Sequence, residues 1–251
     1  MGKLDGRVVL ITGAARGQGE QEARLFAAEG AGVVLADVLD ERGAAVAEEV
    51  GGRYVHLDVS READWAAALT AATEAFGRLD GLVNNAGILR FNELARTPLE
   101  EYEEVVRVNQ TGAFLGMRTV VPALEAAGGG TIVNTASYAA LSGMTLLTSY
   151  AAAKAAVVGM TRVAALELAP KGIRVNAMCP GAIDTPMTNP AETGPSESLD
   201  AFYAKLVPLG RIGRPEEVAR LALFLTSEDS SYITGQPFVI DGGWLAGVQV
   251  V

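Results

Sequence analysis

The sequence predicts an α/β fold: a seven-stranded parallel sheet, doubly wound, in the order 3-2-1-4-5-6-7, with helices on both faces. Three observations predict it. Short β-branched runs alternate with amphipathic helical stretches along the whole chain, the pattern of successive strand–helix–strand units. The first of these runs passes directly into a glycine loop and then a helix. No Pro/Gly/Ser-rich linker or internal repeat interrupts residues 1–251, which are therefore expected to form one domain.

Each element follows from its residues. Arg7 to Thr12 reads as a buried parallel strand. The loop Gly13-Ala14-Ala15-Arg16-Gly17-Gln18-Gly19 leads into a helical pattern through Glu22, Leu25 and Phe26 to Gly30. A second strand, Gly32 to Ala36, ends at Asp37, and a helix follows over Asp40–Val50. The third strand, Arg53–Leu57, ends in Asp58-Val59. Ser60 is expected to cap the next helix, which runs to Phe76. Leu79–Val83 is the fourth strand, ending in Asn84-Asn85-Ala86-Gly87. A long helix is expected from Pro98 to Leu124. Asn109 in its middle is a poor helix former, suited to bonding a distorted backbone or holding a water. Thr131–Asn134 is the fifth strand, followed by Thr135-Ala136-Ser137 and a helix carrying Tyr150 to Ala169. The sixth strand, Ile173–Met178, ends in Pro180-Gly181. Segment 182–207 mixes Pro, Gly, Ser and Asn with large apolar residues, a composition that predicts a mobile lid. A helix over Pro215–Leu225, a seventh strand over Phe238–Ile240 and the ending Asp241-Gly242-Gly243-Trp244 complete the chain.

Composition excludes several functions. Hydrophobic residues are 49% of the chain and charged residues 20%, ample for a packed core. A formal net charge of −10 argues against nucleic acid and anionic membrane as partners. Cys179 is the single cysteine, so no intrachain disulfide forms, and no Cys/His cluster has metal-site spacing; no metal is expected. The only histidine, His56, lies in an apolar strand run, where a structural role is expected rather than a Ser-His-Asp mechanism. The N-terminus lacks the apolar core of a signal peptide, and no run of about 18 apolar residues could span a membrane. The expected location is the cytoplasm.

Two stretches carry chemistry. The strand–glycine loop–helix arrangement offers free backbone N–H groups and a helix dipole to a phosphate. Asp37, 18 residues beyond Gly19, has the spacing of the acid that bonds adenosine ribose hydroxyls, although a strand-end Asp can also cap the following helix. In Tyr150-Ala151-Ala152-Ala153-Lys154, the Tyr and Lys share one helix face, one turn apart. A lysine cation nearby favours the phenolate and is expected to lower the tyrosine pKa.

With Thr12-Gly13, Gly17 and Gly19, Asn84 to Gly87, Ser137, Tyr150 with Lys154, and Pro180-Gly181 in this order, the chain resembles the short-chain dehydrogenase/reductase family over essentially its whole length. Within it, the chain is most similar to bacterial hydroxysteroid dehydrogenases of the 3α/20β type, through VVLADVLDE (33–41), HLDV (56–59), DGLVNNAGI (80–88), SSYITG (230–235) and DGGW (241–244). The resemblance implies a Rossmann fold, a nicotinamide cofactor and a catalytic tetrad of Asn109, Ser137, Tyr150 and Lys154. Asn109 would hold a water connecting Lys154 to solvent. Cofactor contacts are implied at Gly13, Arg16, Gln18, Gly19, Asp37, Val38, Asp58, Val59, Asn85, Ala86, Gly87, Tyr150, Lys154, Pro180, Gly181, Ile183 and Thr185. Gln18 departs from the aliphatic residue common in the family, and Tyr138 from a small one, which narrows the substrate site.

The implied reaction is hydride transfer between the cofactor and a secondary alcohol or ketone. Asp37 would repel a 2′-phosphate, so NAD is expected, against a contrary signal from Arg16. The substrate wall is expected to be Leu89, Phe91, Tyr138, Leu141, Met144, Met187, Phe202 and Tyr203, with Arg90 pointing outward. It suits a hydrophobic, steroid-like or terpene-like skeleton. A 3-oxoacyl-carrier-protein reductase or a sugar dehydrogenase of the same family is the alternative. A non-catalytic dinucleotide sensor, or a lyase or epimerase using bound NAD, belongs to another class. The helices near 98–124 and 149–169 are apolar on more than one face, and a homotetramer is expected.

Overall fold

The computed structural model describes residues 2–189 and 197–247. Its seven strands are β1 (Val8–Thr12), β2 (Gly32–Asp37), β3 (Arg53–His56), β4 (Gly81–Asn84), β5 (Gly130–Thr135), β6 (Ile173–Pro180) and β7 (Pro237–Ile240). All pair in parallel, in the order β3-β2-β1-β4-β5-β6-β7. The helices between them are α1 (Gly17–Ala28), α2 (Asp40–Val50), α3 (Glu62–Phe76), α4 (Leu99–Val106), α5 (Gly112–Ala126), α6 (Thr148–Leu168), α7 (Glu197–Leu206) and α8 (Pro215–Thr226).

The strands are apolar on both sides because helices cover both faces. Along β1, Val8 and Leu10 enter one core layer with Val34, Trp65, Leu82 and Ile132. Val9 and Ile11 enter the other with Phe26, Val33, Leu35, Val83 and Val218. That alternation of one strand between two layers is the period-two pleat with both faces buried. The edge strand β3 is the exception: Arg53 and His56 are exposed. His56 Nδ1 lies 2.7 Å from Asp40 Oδ1, a surface contact with no part in the cleft described below.

Three expectations are corrected here. The helix after Ser60 begins at Glu62 with Arg61 at its N-cap, because Asp58 Oδ1 already accepts hydrogen bonds from the Ser60 backbone N–H (2.9 Å) and Oγ (2.8 Å) and holds Ser60 in the preceding turn. The long helix from Pro98 is not a continuous α-helix: a π-helical turn over Arg107–Thr111 separates α4 from α5, which ends at Ala126. Asn109 is buried in that turn, as a residue bonding a distorted backbone would be. Of segment 182–207, Ala182, Ile183 and Val207 are buried and Ile183 packs into the sheet core, so both ends are core elements. Residues 190–196 of that predicted lid lie outside the described residues.

Parallel strands end at one edge of the sheet, and so do the residues that follow them. Thr12, Asp37, Asn84, Thr135 and Pro180 all close their strands there, forming the crevice where such sheets bind ligands. A buried polar chain ties α6 to this edge. Asn84 Nδ2 donates to Asn134 Oδ1 (2.9 Å), and Asn134 Nδ2 donates to Thr161 Oγ1 (2.9 Å). Buried amides satisfied in this way fix register as well as adding stability.

Candidate active site

One cleft of ≈ 450 Å³ runs along the carboxyl edge of the sheet. Its floor at one end is the glycine loop. Gly13 sits at φ +66, where a side chain would be strained, and a Cβ on Gly19 would stand 2.3 Å from Gly13 O and 2.6 Å from Asn85 Nδ2. The loop is sewn to β4: Thr12 Oγ1 accepts from the backbone N–H groups of Asn85 and Ala86, both at 3.0 Å, and Asn85 Nδ2 donates to Gly13 O at 3.2 Å. The N-terminus of α1 opens from this loop and turns its dipole to the cleft.

Asp37 borders the same end and is buried. Its Oδ2 accepts from Ala15 N (3.0 Å) and its Oδ1 from Val38 N (2.7 Å) and Leu39 N (3.0 Å). It therefore fixes the turn before α2 while keeping lone pairs towards the cleft. Gln18 Oε1 is a buried acceptor with no partner among the described residues, in the cleft wall beside Gly17. An orphaned acceptor, a loop no Cβ can enter, a helix N-terminus and an acid at the strand end together fit a dinucleotide.

At the other end, Ser137, Tyr150 and Lys154 converge from β5's end and α6. Ser137 Oγ accepts from Ala139 N at 3.1 Å and lines the cleft beside Tyr150. Lys154 is buried, its Nζ donates to Thr135 O at 2.7 Å, and it lies 5.7 Å from the Tyr150 ring centroid. Desolvation pushes the lysine down to about 8. The tyrosine departs from expectation: burial pushes it up to about 12, against the opposing pull of Ser137. Desolvation is the larger influence on Tyr150, while the Lys154 ammonium donates to the Thr135 carbonyl. As a phenol at neutral pH, Tyr150 can donate a proton; to accept one it needs further stabilisation of the phenolate.

Asn109 does not line the cleft. Its amide is paired with the Ile88 backbone, Oδ1 accepting from N and Nδ2 donating to O, both at 2.8 Å. Behind Lys154 it borders a small cavity of ≈ 10 Å³ shared with Thr12, Asn84, Thr135 and Lys154, the size of one water. Gly19 likewise lies beneath the wall, under Gly13. The remaining expected cofactor residues, Arg16, Val38, Asp58, Val59, Asn85, Ala86, Gly87, Pro180, Gly181, Ile183 and Thr185, all line the cleft.

The expected substrate wall is there in part. Leu89, Phe91, Tyr138, Met144, Met187 and Tyr203 line the cleft. Leu141 and Phe202 do not: both are exposed, and Phe202 instead packs edge-on to Tyr203. Arg90 turns away to Glu104, as expected. Leu147 and Trp244 are among the wall residues that were missed. Trp244 stacks on Tyr138 with ring centroids 4.4 Å apart. The signal for it was the Asp241-Gly242-Gly243 turn that precedes it, both glycines having positive φ.

The comparisons with known proteins agree with this geometry. Residues 13–245 match the family described as enoyl-(acyl carrier protein) reductase. The 3-alpha-(or 20-beta)-hydroxysteroid dehydrogenase of Mycobacterium tuberculosis is 47% identical over 98% of this chain and 92% of its own. The trans-4-hydroxycyclohexanecarboxylate dehydrogenase of Sinomonas cyclohexanicum is 42% identical, over 96% of this chain and 93% of its own. Among solved structures, a short-chain type dehydrogenase/reductase from Mycobacterium marinum superposes with a TM-score of 0.90 at 37% identity, covering 97% of both chains.

Proposed function

We propose that this chain, which belongs to the short-chain dehydrogenase/reductase family, is an NAD-dependent enzyme that interconverts a secondary alcohol and its ketone on a hydrophobic, steroid-like or terpene-like skeleton. The observation that carries the reading is the convergence of Ser137, Tyr150 and Lys154 in the same cleft as Asp37 and the glycine loop. A nicotinamide dinucleotide held there would supply the hydride acceptor or donor. The backbone N–H groups of Gly13 and Gln18 and the α1 N-terminus would hold its pyrophosphate, and Asp37 its adenosine ribose.

The chain's own residues handle the proton. Ser137 is placed to hydrogen-bond the substrate oxygen and stabilise charge developing on it. Tyr150 as phenol gives its proton to a ketone oxygen; in the reverse direction the phenolate takes it from the alcohol. Lys154, held by Thr135 O with its Nζ 5.7 Å from the Tyr150 ring centroid, would favour the phenolate. The small cavity between Lys154 and Asn109 suits a water that passes protons towards solvent. Relatives named for a hydroxysteroid and for a hydroxycyclohexane carboxylate support an alicyclic carbinol.

Helix faces left bare in one chain support a homotetramer, with Leu99 64%, Val163 56% and Leu166 80% exposed on α4 and α6. Among the described residues no helix is long and apolar enough to cross a membrane. The description of the matching family, enoyl-(acyl carrier protein) reductase, favours a second reading, reduction of an acyl chain on a carrier protein. The net charge of −10 opposes docking of an acidic carrier. Assaying hydroxysteroids, cyclohexanols, glucose and an acyl-carrier thioester with both coenzymes tests the proposal. Turnover of the thioester above every hydrophobic alcohol would reject it, as would equal kcat/KM for NAD and NADP.

A further inference from the structure

Trp244 is held in place from three sides. Asp241 Oδ1 accepts from Gly243 N (2.8 Å) and its Oδ2 from Leu245 N (2.7 Å), closing the turn that carries the indole. That turn is pressed on the end of β6, where a Cβ on Gly181 would stand 2.8 Å from Asp241 Cα. On its other side, Leu209 N donates to Gly242 O at 3.1 Å. The indole then meets two tyrosines. Tyr138 stacks on it at 4.4 Å and 19° between planes, and Tyr203 of α7 meets it edge-on at 6.1 Å.

Tyr138 is also immobile. Only 8% of it is exposed, its hydroxyl donates to Met144 Sδ, and it follows Ser137 directly in the chain. Tyr138, Ala139 and Leu147 form a buried cluster onto which Tyr150, Met144 and Trp244 pack. The wall is therefore contiguous with the tyrosine that serves the reacting oxygen. Other lining residues differ: Phe91 is 58% exposed and Met187 39%, so those side chains can move aside for a ligand.

We infer that the Tyr138–Trp244 stack is a fixed wall that limits the volume on one side of the reacting carbon, so that this enzyme selects carbonyl and carbinol carbons with a compact substituent on that side, a methyl group or the edge of a single ring. The bulk of the skeleton then leaves past Phe91 and Met187. Trp244 is the specificity-determining residue, and it acts by excluding volume rather than by touching the reacting atoms. The inference rests on the dehydrogenase reading above and narrows its substrate class. Rigid packing makes such exclusion effective, because a stacked pair clamped on both sides cannot relax around an extra ring. Discrimination by pocket volume reaches about 10–200-fold.

Two ketones isolate that substituent. Acetophenone carries one methyl arm and benzophenone two phenyl arms. Reduction of each is measured as kcat/KM in wild type, Trp244→Ala and Trp244→Phe, with coenzyme binding followed by fluorescence and folding by circular dichroism. Wild type should favour acetophenone by at least about 10-fold. Trp244→Ala should raise the benzophenone-to-acetophenone ratio of kcat/KM about 10-fold and leave coenzyme affinity unaltered. Trp244→Phe, which retains a stacking face but less volume, should shift the same ratio by less than Trp244→Ala does. If Trp244→Ala does not fold, Trp244→Leu keeps apolar bulk without the stack and is read by the same ratio. A wild-type ratio near one, or an alanine variant that loses both ketones in step, overturns the inference. Oxidation of alcohols with two bulky substituents but not of those with a compact one overturns it while leaving the dehydrogenase intact. No coenzyme turnover with any alcohol or ketone instead removes the reading on which it rests.

Discussion

Replacing Glu22 by Gln should flatten the pH dependence of stability. Glu22 lies on the same face of α1 as Ala23 and Phe26, 0% exposed, and neither carboxylate oxygen has a hydrogen-bond partner among the described residues. Desolvation alone pushes its pKa from 4.5 up to about 8. The native state therefore holds a proton that the unfolded chain releases above pH 4.5. Stability from this group is complete below that value and is lost as pH rises, until the native carboxyl itself ionises near 8. Each pH unit in the window costs about 1.4 kcal/mol, so the loss between pH 5 and pH 8 is on the order of 4 kcal/mol. Glutamine cannot ionise. Its own unpaired amide costs about 1–3 kcal/mol, but equally at both pH values, so it cancels in the comparison. Relative to wild type, the Glu22→Gln variant should gain on the order of 4 kcal/mol between pH 5 and pH 8, roughly 8–16 °C in melting temperature for a chain of this size. Urea melts of both proteins at the two pH values measure it. Curves that move in parallel would show that Glu22 is solvated or paired in the folded protein, and the reasoning would fail.

Three other outcomes follow from the site and its surroundings. Asp37→Ala removes the charge that opposes a 2′-phosphate, and should raise the NADP-to-NAD ratio of kcat/KM by about 10-fold; an unchanged ratio would remove Asp37 from coenzyme choice. Gly19→Ala should abolish dinucleotide binding or folding, since its Cβ has only 2.3 Å to Gly13 O; NADH fluorescence titration of a well-folded variant with wild-type affinity would contradict the packing. Light scattering at micromolar concentration should give four times 26.0 kDa, and Leu166→Glu on the bare face of α6 should lower it; a wild-type mass of 26.0 kDa rules the tetramer out.

Much of this was legible because local chemistry and the fold agree. Strands such as Val8–Thr12 read as buried because they are apolar at successive positions, and the sheet does cover both their faces. Asp37 and the glycine loop read as a ligand edge because their spacing belongs to one strand–loop–helix unit. What failed depends on partners and surroundings that the local pattern does not name. Ser60 is a good cap by itself, but the Asp58 carboxylate captures its hydroxyl first. Asn109 signalled a disturbed helix, yet the π-helical form depends on the Ile88 backbone that its amide meets, 21 residues away. Glu22 occupies a core position of an otherwise normal amphipathic pattern, and no sequence rule places a charged residue there. Tyr150 was expected to be acidified by Lys154, but a shared helix face does not fix where the ammonium points, and Thr135 O takes it. Trp244 joins the cleft only because the C-terminal turn folds back over the end of β6.

The central claim is that Tyr150 exchanges the proton with the substrate oxygen in a site that binds NAD. Stopped-flow measurement of NADH formation from NAD and a cyclic secondary alcohol, with wild type and Tyr150→Phe, tests it most directly. The phenylalanine ring keeps the packing against Leu147 and Tyr138, so coenzyme affinity should be unchanged while kcat falls at least about 100-fold. A variant that keeps more than half of wild-type turnover would contradict the claim.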